Sequence, residues 1–218
     1  MKKIIPLLLC LLFTTIACKT QDMTDTYTIE TSLGNIKVKL YDNTPLHKAN
    51  FERLVEEQLY DSTLFHRVIN EFMIQGGDLE TKPASMQAKV DKTEEEKTIP
   101  AEFVRENFHK KGALAAARMG DQVNPEKRSS PTQFYIVHGR SWTDAQLKEI
   151  EDYYGSYFPE NQKEVYKSLG GTPFLDNEYT VFGEVVEGLG VVNQIASVAT
   201  GSMDRPREDV YIIRIVKD

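Results

Sequence analysis

The sequence predicts a mainly β domain with two principal helices, on three observations. Residues 27–31 and 36–40 alternate apolar and polar around the turn residues Leu33-Gly34-Asn35, as in a hairpin with one buried face. The run 64–78 carries core-type side chains at Phe65, Val68, Ile69, Phe72, Met73 and Ile74. Asn70-Glu71 divides this run into two strands, and Gly76-Gly77 ends it. Residues 210–216 alternate again, as a last strand. The chain has 218 residues, 40% hydrophobic and 27% charged, which is ordinary for a globular domain with one core.

Between these strands the order is as follows. Thr44 is placed to cap a helix that opens on Pro45, with Ala49, Phe51, Leu54 and Val55 as its apolar stripe, to about Glu57. Residues 80–97, with Glu94-Glu95-Glu96, read as a solvated loop. Ile99 to Phe103 re-enters the fold. Residues 112–117 are short and apolar, and their composition alone allows strand or helix. Residues 118–130 form a loop, and 133–137 the next strand. Residues 181–186 are a strand, and Leu189, Val192, Ile195 and Ala196 mark a closing helix.

The N-terminus is of another kind. Lys2-Lys3 precedes an apolar stretch from Ile4 to Phe13, too short to span a bilayer comfortably and arranged as a secretory signal over residues 1–17. Thr15-Ile16-Ala17-Cys18 resembles a bacterial lipobox, although Thr15 stands where leucine is more usual. The resemblance implies lipidation of Cys18, followed by a polar tether to residue 25. Ordinary cleavage near Ala17 is the alternative. The other cysteine, Cys10, lies in the segment that would be removed, so no disulfide can form in the mature chain. A lipidated cysteine anchors; a lone thiol in an oxidising compartment is a liability. The formal charge is -7, or about -9 without the two leader lysines. Such a balance argues against nucleic-acid binding and against electrostatic membrane binding, leaving Cys18 as the membrane contact.

Phe65-His66-Arg67-Val68-Ile69, Phe72-Met73 and Gln75-Gly76-Gly77-Asp78 fill every fixed position of a pattern. This stretch resembles the signature of the cyclophilin-type peptidyl-prolyl cis-trans isomerases. Ser130-Pro131-Thr132-Gln133-Phe134-Tyr135-Ile136 is similar to a second family segment. Phe174-Leu175-Asp176, followed by Val181-Phe182-Gly183-Glu184-Val185, is similar to a third. The blocks occur in family order over residues 26–218. The resemblance implies a closed eight-stranded antiparallel barrel, capped by two helices, with residues 112–117 as a strand. It also marks residues 139–171 as an insertion that compact members lack. Thr143-Asp144-Ala145-Gln146 resembles a capping box opening one helix there, and residues 159–169 suggest a second. Tyr153, Tyr154, Tyr157, Phe158 and Tyr166 make this insertion aromatic, as a lid or partner surface or simply as packing.

Isomerising a peptide bond means weakening its resonance in the twisted state, which needs no nucleophile, metal or cofactor. Without the resemblance, Arg67 reads as a solvated strand arginine or as one held over a concave apolar surface. With it, Arg67 is the catalytic residue. Its permanently charged fork would stabilise the lone pair that localises on the prolyl nitrogen. The resemblance further assigns Phe72, Met73, Tyr135 and Leu175 to the proline pocket. Gln75 would brace Arg67 or the substrate carbonyl, Gln133 would contact peptide backbone, and Ala117-Arg118 would line the groove through its backbone. His66 is read as structural, since no proton moves. Phe174 stands where many members have the tryptophan that binds cyclosporin, which implies weak inhibition by that drug. Tyr179 replaces a common pocket histidine, and Tyr135 a phenylalanine, adding a hydroxyl at the pocket. The function so implied is isomerisation of X-Pro bonds in proline-containing, unfolded or partly folded envelope proteins. The rivals are a proline-peptide binding module or holdase chaperone with little turnover, and a scaffold acting through the insertion.

Overall fold

A computed structural model describes residues 26–87 and 97–218. The expected secretory leader, the expected lipidation site Cys18 with its tether, and the acidic run at 94–96 lie outside the described residues. Among the described residues no helix is long and apolar enough to cross a membrane.

Among the described residues nine strands form one antiparallel sheet. β1 (Thr26–Thr31) and β2 (Gly34–Leu40) are the expected hairpin, with Thr31 opposite Gly34 across a Ser32-Leu33 turn. The signature run gives β3 (Thr63–Leu64), β4 (Arg67–Ile69) and β5 (Met73–Gly76). β6 (Ala113–Ala116), β7 (Phe134–Val137), β8 (Val181–Glu187) and β9 (Tyr211–Lys217) follow. Their spatial order is β3-β9-β1-β2-β8-β6-β7-β5-β4. Register shifts at Glu30/Thr31, Lys37/Val38 and Leu114/Ala115 add local twist and curl the sheet.

The closed eight-stranded barrel is corrected here to a curled sheet of nine strands. The first of the two strands expected in the run 64–78 breaks at Phe65-His66, where the Phe65 N–H donates to the Val210 carbonyl at 2.9 Å. β3 therefore pairs with β9, and β4 with β5. The two ends of the sheet are consecutive in the chain, and only two residues join them.

The inner face holds the main core. Ile29, Ile36, Val38, Val68, Ile74, Leu114, Phe134, Ile136, Phe182 and Ile212 meet there. Helix α1 (Pro45–Glu56) contributes Phe51 and Leu54 to it. Thr44 is its N-cap residue but makes no side-chain cap bond, while Pro45 occupies the first turn. The buried stripe is His47, Phe51 and Leu54, and Ala49 faces solvent. Helix α5 (Leu189–Ala196) adds Val192, Ile195 and Ala196.

The polar segment after β5 is not wholly a solvated loop. Leu79–Thr81 forms a 3₁₀ turn and Ala84–Gln87 a short helix, α2. Between them Lys82 is only 7% exposed. Its ammonium donates to the carbonyls of Leu59 at 2.8 Å and Asp61 at 2.6 Å, just beyond α1.

The stretch 139–171 carries α3 (Asp144–Tyr154) and α4 (Glu160–Ser168). Thr143 and Gln146 make both bonds of the capping box, and α3 ends on a left-handed Gly155. Leu147, Phe158 and Tyr166 form a small core of their own, with Trp142 and Phe108 against it. Tyr153, Tyr154 and Tyr157 stay exposed. The stretch leaves and re-enters at one point: a Cβ on Gly139 would lie 2.5 Å from the Gly171 Cα.

Candidate functional site

Side chains directly opposite one another in a sheet point to the same face. Arg67 is opposite Gln75, Gln75 opposite Tyr135, and Tyr135 opposite Ala115. This row of four lies on the outer face, because its neighbours Val68, Ile74, Phe134 and Leu114 fill the inner core. The outer face has a second apolar cluster of Met73, Ala113, Ala115, Ala117, Tyr135, Val137 and Val181, with Phe72, Leu175 and Tyr179 packed against it. Three alanines in that cluster keep the floor low.

Above that floor lies a cavity of about 160 Å³, lined by Arg67, Phe72, Met73, Gln75, Ala117, Arg118, Tyr135, Leu175 and Tyr179. Drug-sized ligands usually occupy roughly 300–1,000 Å³, so this one suits a single side chain or ring. A larger cleft, about 640 Å³, lies between α1 and β9 among Tyr27, Glu52, Arg214 and Lys217, and none of the signature residues reaches it.

Arg67 is held at the cavity mouth with its Nε 3.4 Å from Asp204 Oδ2. Gln75 is its cross-strand neighbour, yet the Gln75 amide donates to Gln133 Oε1 at 3.0 Å. Gln133 therefore joins the site through Gln75 and does not line the cavity itself. Arg118 enters through its side chain as well as its backbone. Its guanidinium lies 4.5 Å over the Tyr179 ring, and its Nε donates to the Glu178 carbonyl at 2.7 Å. Tyr179 in turn meets Tyr135 edge-on at 5.8 Å.

One expectation needs correction. The Tyr135 hydroxyl is not offered to the pocket; it points away, to His109 Nε2 at 2.9 Å, and only the ring forms the wall. Burial pushes this phenol up, well above its ordinary pKa. Phe174 stands behind the cavity wall. It stacks on Phe72 at 5.9 Å, and Trp142 packs edge-on to it at 6.1 Å. His66 lies beside Arg67 with Nδ1 buried and unbonded, and burial lowers its pKa. Asp204, His109 and Trp142 are the neighbours that sequence reasoning missed. Their only signals were a lone carboxylate after a glycine, a histidine in a polar stretch and the chain's one tryptophan.

Residues 26–217 match the family model described as cyclophilin type peptidyl-prolyl cis-trans isomerase/CLD. A Staphylococcus haemolyticus protein named peptidyl-prolyl cis-trans isomerase is 33% identical over 84% of this chain and 86% of its own length. A Streptococcus pyogenes protein named as a bifunctional phosphatase/peptidyl-prolyl cis-trans isomerase is 37% identical over 85% of the chain. The chain spans only 37% of that relative. Among solved structures, a Cryptosporidium parvum cyclophilin aligns with TM-score 0.63 at 21% identity, over 88% of this chain and 96% of that one. A second structure of that protein, in the presence of the dipeptide Ala-Pro, aligns with TM-score 0.64 at 20% identity, over 89% and 99%. These last two speak for the fold. The signature, the fold and the matched family model together establish that the chain belongs to the cyclophilin-type peptidyl-prolyl cis-trans isomerases.

Proposed function

We propose that the outer-face cavity holds the proline ring of an X-Pro substrate while Arg67 catalyses rotation of the bond before it. The observation that carries this reading is the meeting of Arg67 with Phe72, Met73, Tyr135 and Leu175 around one ring-sized cavity. Rotation faces a barrier of about 18–20 kcal/mol, set by C–N double-bond character. As the amide twists, the nitrogen becomes pyramidal and gains a lone pair. A guanidinium N–H aimed at that nitrogen binds it more tightly in the twisted state than in either planar one, which is the requirement for raising rate. The anchored Nε leaves the other N–H groups of Arg67 to make this contact. The Gln75–Gln133 pair supplies an amide for the substrate backbone. Proline-containing peptides are the substrate class.

We infer from the leader and Cys18 that the enzyme works outside the cytoplasm, on a lipid anchor in the bacterial cell envelope, with unfolded exported chains as its substrates. Mass spectrometry of Cys18 tests the anchor: an acylated N-terminal cysteine supports it, and a free one refutes it.

The deciding experiment is isomerisation of a short Ala-Pro peptide by the protein beginning at Lys19, beside Arg67→Ala and Arg67→Lys. Loss of one preorganised donor costs about 10²–10³ in rate, so Arg67→Ala should fall by about that factor while keeping its fold. Equal and negligible rates in all three would refute the mechanism and favour a proline-peptide binding module.

A further inference from the structure

The helical stretch 139–171 is joined to the wall of the cavity by four side chains in a line. Tyr166, on α4, donates its hydroxyl proton to Asp176 Oδ2 at 2.6 Å. The other carboxylate oxygen accepts from the His109 backbone N–H at 2.9 Å and meets the ring Nδ1 at 2.8 Å. The far ring nitrogen meets the Tyr135 hydroxyl at 2.9 Å. A carboxylate can only accept, so Nδ1 carries the proton. In the neutral ring Nε2 is then the acceptor, and Tyr135 donates. Tyr166 and His109 are 0% exposed and Tyr135 is 4% exposed, while the Asp176 side chain is 10% exposed, so the His109–Tyr135 link is closed to water and the Asp176 links are largely screened from it. Burial holds the phenol protons of Tyr135 and Tyr166 in place.

Two members of this line bear on the cavity. Tyr135 is one wall, and Asp176 follows directly on Leu175, another wall. The polypeptide around the line is also tight. A Cβ on Gly171 would come within 2.2 Å of the His109 carbonyl and 2.6 Å of the Tyr166 ring. A phenylalanine at 135 would fill the same volume, so the hydroxyl adds a fixed ring position and not bulk.

We infer that Tyr166, Asp176 and His109 are positioning residues for the proline pocket, and that the helical stretch serves as a strut which sets the pocket's grip on the ring through Tyr135. This rests on the reading of the cavity as the proline pocket. Hydrogen-bonded side chains in one buried network respond non-additively to removal of their members.

The test is a double-mutant cycle in the full chain, Tyr166→Phe against Tyr135→Phe, with KM and kcat for the Ala-Pro peptide measured separately. The two rings do not exchange a hydrogen bond, so independent effects would multiply. Each single change should raise KM about threefold to tenfold with kcat within about twofold, and the double variant should be no worse than the worse single. Thr143→Ala, which weakens the α3 cap alone, should leave KM unchanged. Multiplying effects, an unmoved KM in Tyr166→Phe, or an equal rise in Thr143→Ala would each overturn the inference. A second readout does not depend on turnover. The His109 ring-nitrogen NMR signals should shift in both tyrosine variants, and unchanged signals in Tyr166→Phe would overturn the strut. Absent turnover in the unaltered protein would count against the isomerase reading, while the His109 signals still decide the strut.

Discussion

Arg67 Nε lies 3.4 Å from Asp204 Oδ2, and the two residues are 137 positions apart in the chain. Asp204 reaches that place because Met203 and Asp204 both adopt left-handed backbone, with φ of 57° and 58°. Non-glycine residues rarely do so, at a cost of roughly 1–2 kcal/mol each. The pair is 43% and 45% exposed, so its own contribution to stability is small. Asp204→Asn should therefore change thermal stability by less than about 1 kcal/mol. It should lower kcat/KM by about threefold to tenfold, because Arg67 loses the charged partner that orients its fork. Equal kcat/KM in the two proteins would show that Arg67 needs no anchor.

Stability should fall as pH drops below neutrality. Burial lowers the pKa of His47, and likewise those of His66 and His138. The unfolded chain then binds protons near 6.5, while the native chain resists them. Stability is full above that value and is lost as pH falls from 6.5 toward the folded-state pKa. One such proton gives a slope of at most about 1.4 kcal/mol per pH unit. His47 sits between Glu102 at 2.7 Å and Ser129 at 2.8 Å, where glutamine can keep hydrogen bonds. Melting curves at pH 7.5 and 5.5 should show a smaller drop for His47→Gln than for the unaltered protein. An equal drop would remove His47 from the account.

Lys82→Met should destabilise without touching turnover. The ammonium satisfies carbonyls of half-buried residues beyond α1, and a methionine removes their donor. Hydrogen bonds involving a charged group are worth about 1.5–3 kcal/mol, so a loss of about 2 kcal/mol is expected in denaturant titrations. Unchanged stability would mean that water replaces the ammonium.

Cyclosporin should inhibit weakly. Phe174 has no N–H to donate, and the neighbouring indole does not replace it, since Trp142 Nε1 donates to the Gly171 carbonyl at 2.9 Å. Trp142 is the chain's one tryptophan and reaches the cavity through Phe174 and Phe72. Its fluorescence should respond to an Ala-Pro peptide in the unaltered protein but not in Phe72→Ala. Nanomolar inhibition by the drug would contradict the first expectation, and a silent Trp142 the second.

Much of the fold was legible because alternation is a local signal. Met73 and Gln75 share one face of β5, while Ile74 and Gly76 share the other. The same parity puts Arg67 and Tyr135 with Gln75. The direction of a terminal atom is not a local signal. The Tyr135 hydroxyl points to His109, 26 positions earlier, and nothing near residue 135 says so. Lys82 was hidden for a related reason. A lysine in a polar run reads as solvated until the carbonyls of Leu59 and Asp61 are seen to converge on it. The strand count differed because Phe65-His66, which continue the strand-like run in sequence, sit where the sheet changes partners.

The pairing of β1 with β9 sets an order on the making of the enzyme. Tyr27 lies opposite Lys217, and Thr28 bonds Asp218 across 190 residues of chain. A polypeptide released from its N-terminus onward holds one side of β1 unpaired until its final strand arrives. β3, two residues before Arg67, waits for the same strand. The hairpin of β4 and β5 can form early from near neighbours, but the seam that fixes Arg67 closes last. An interrupted chain would thus display the cavity residues without a seated arginine, and this isomerase would gain its activity only when its own folding is complete.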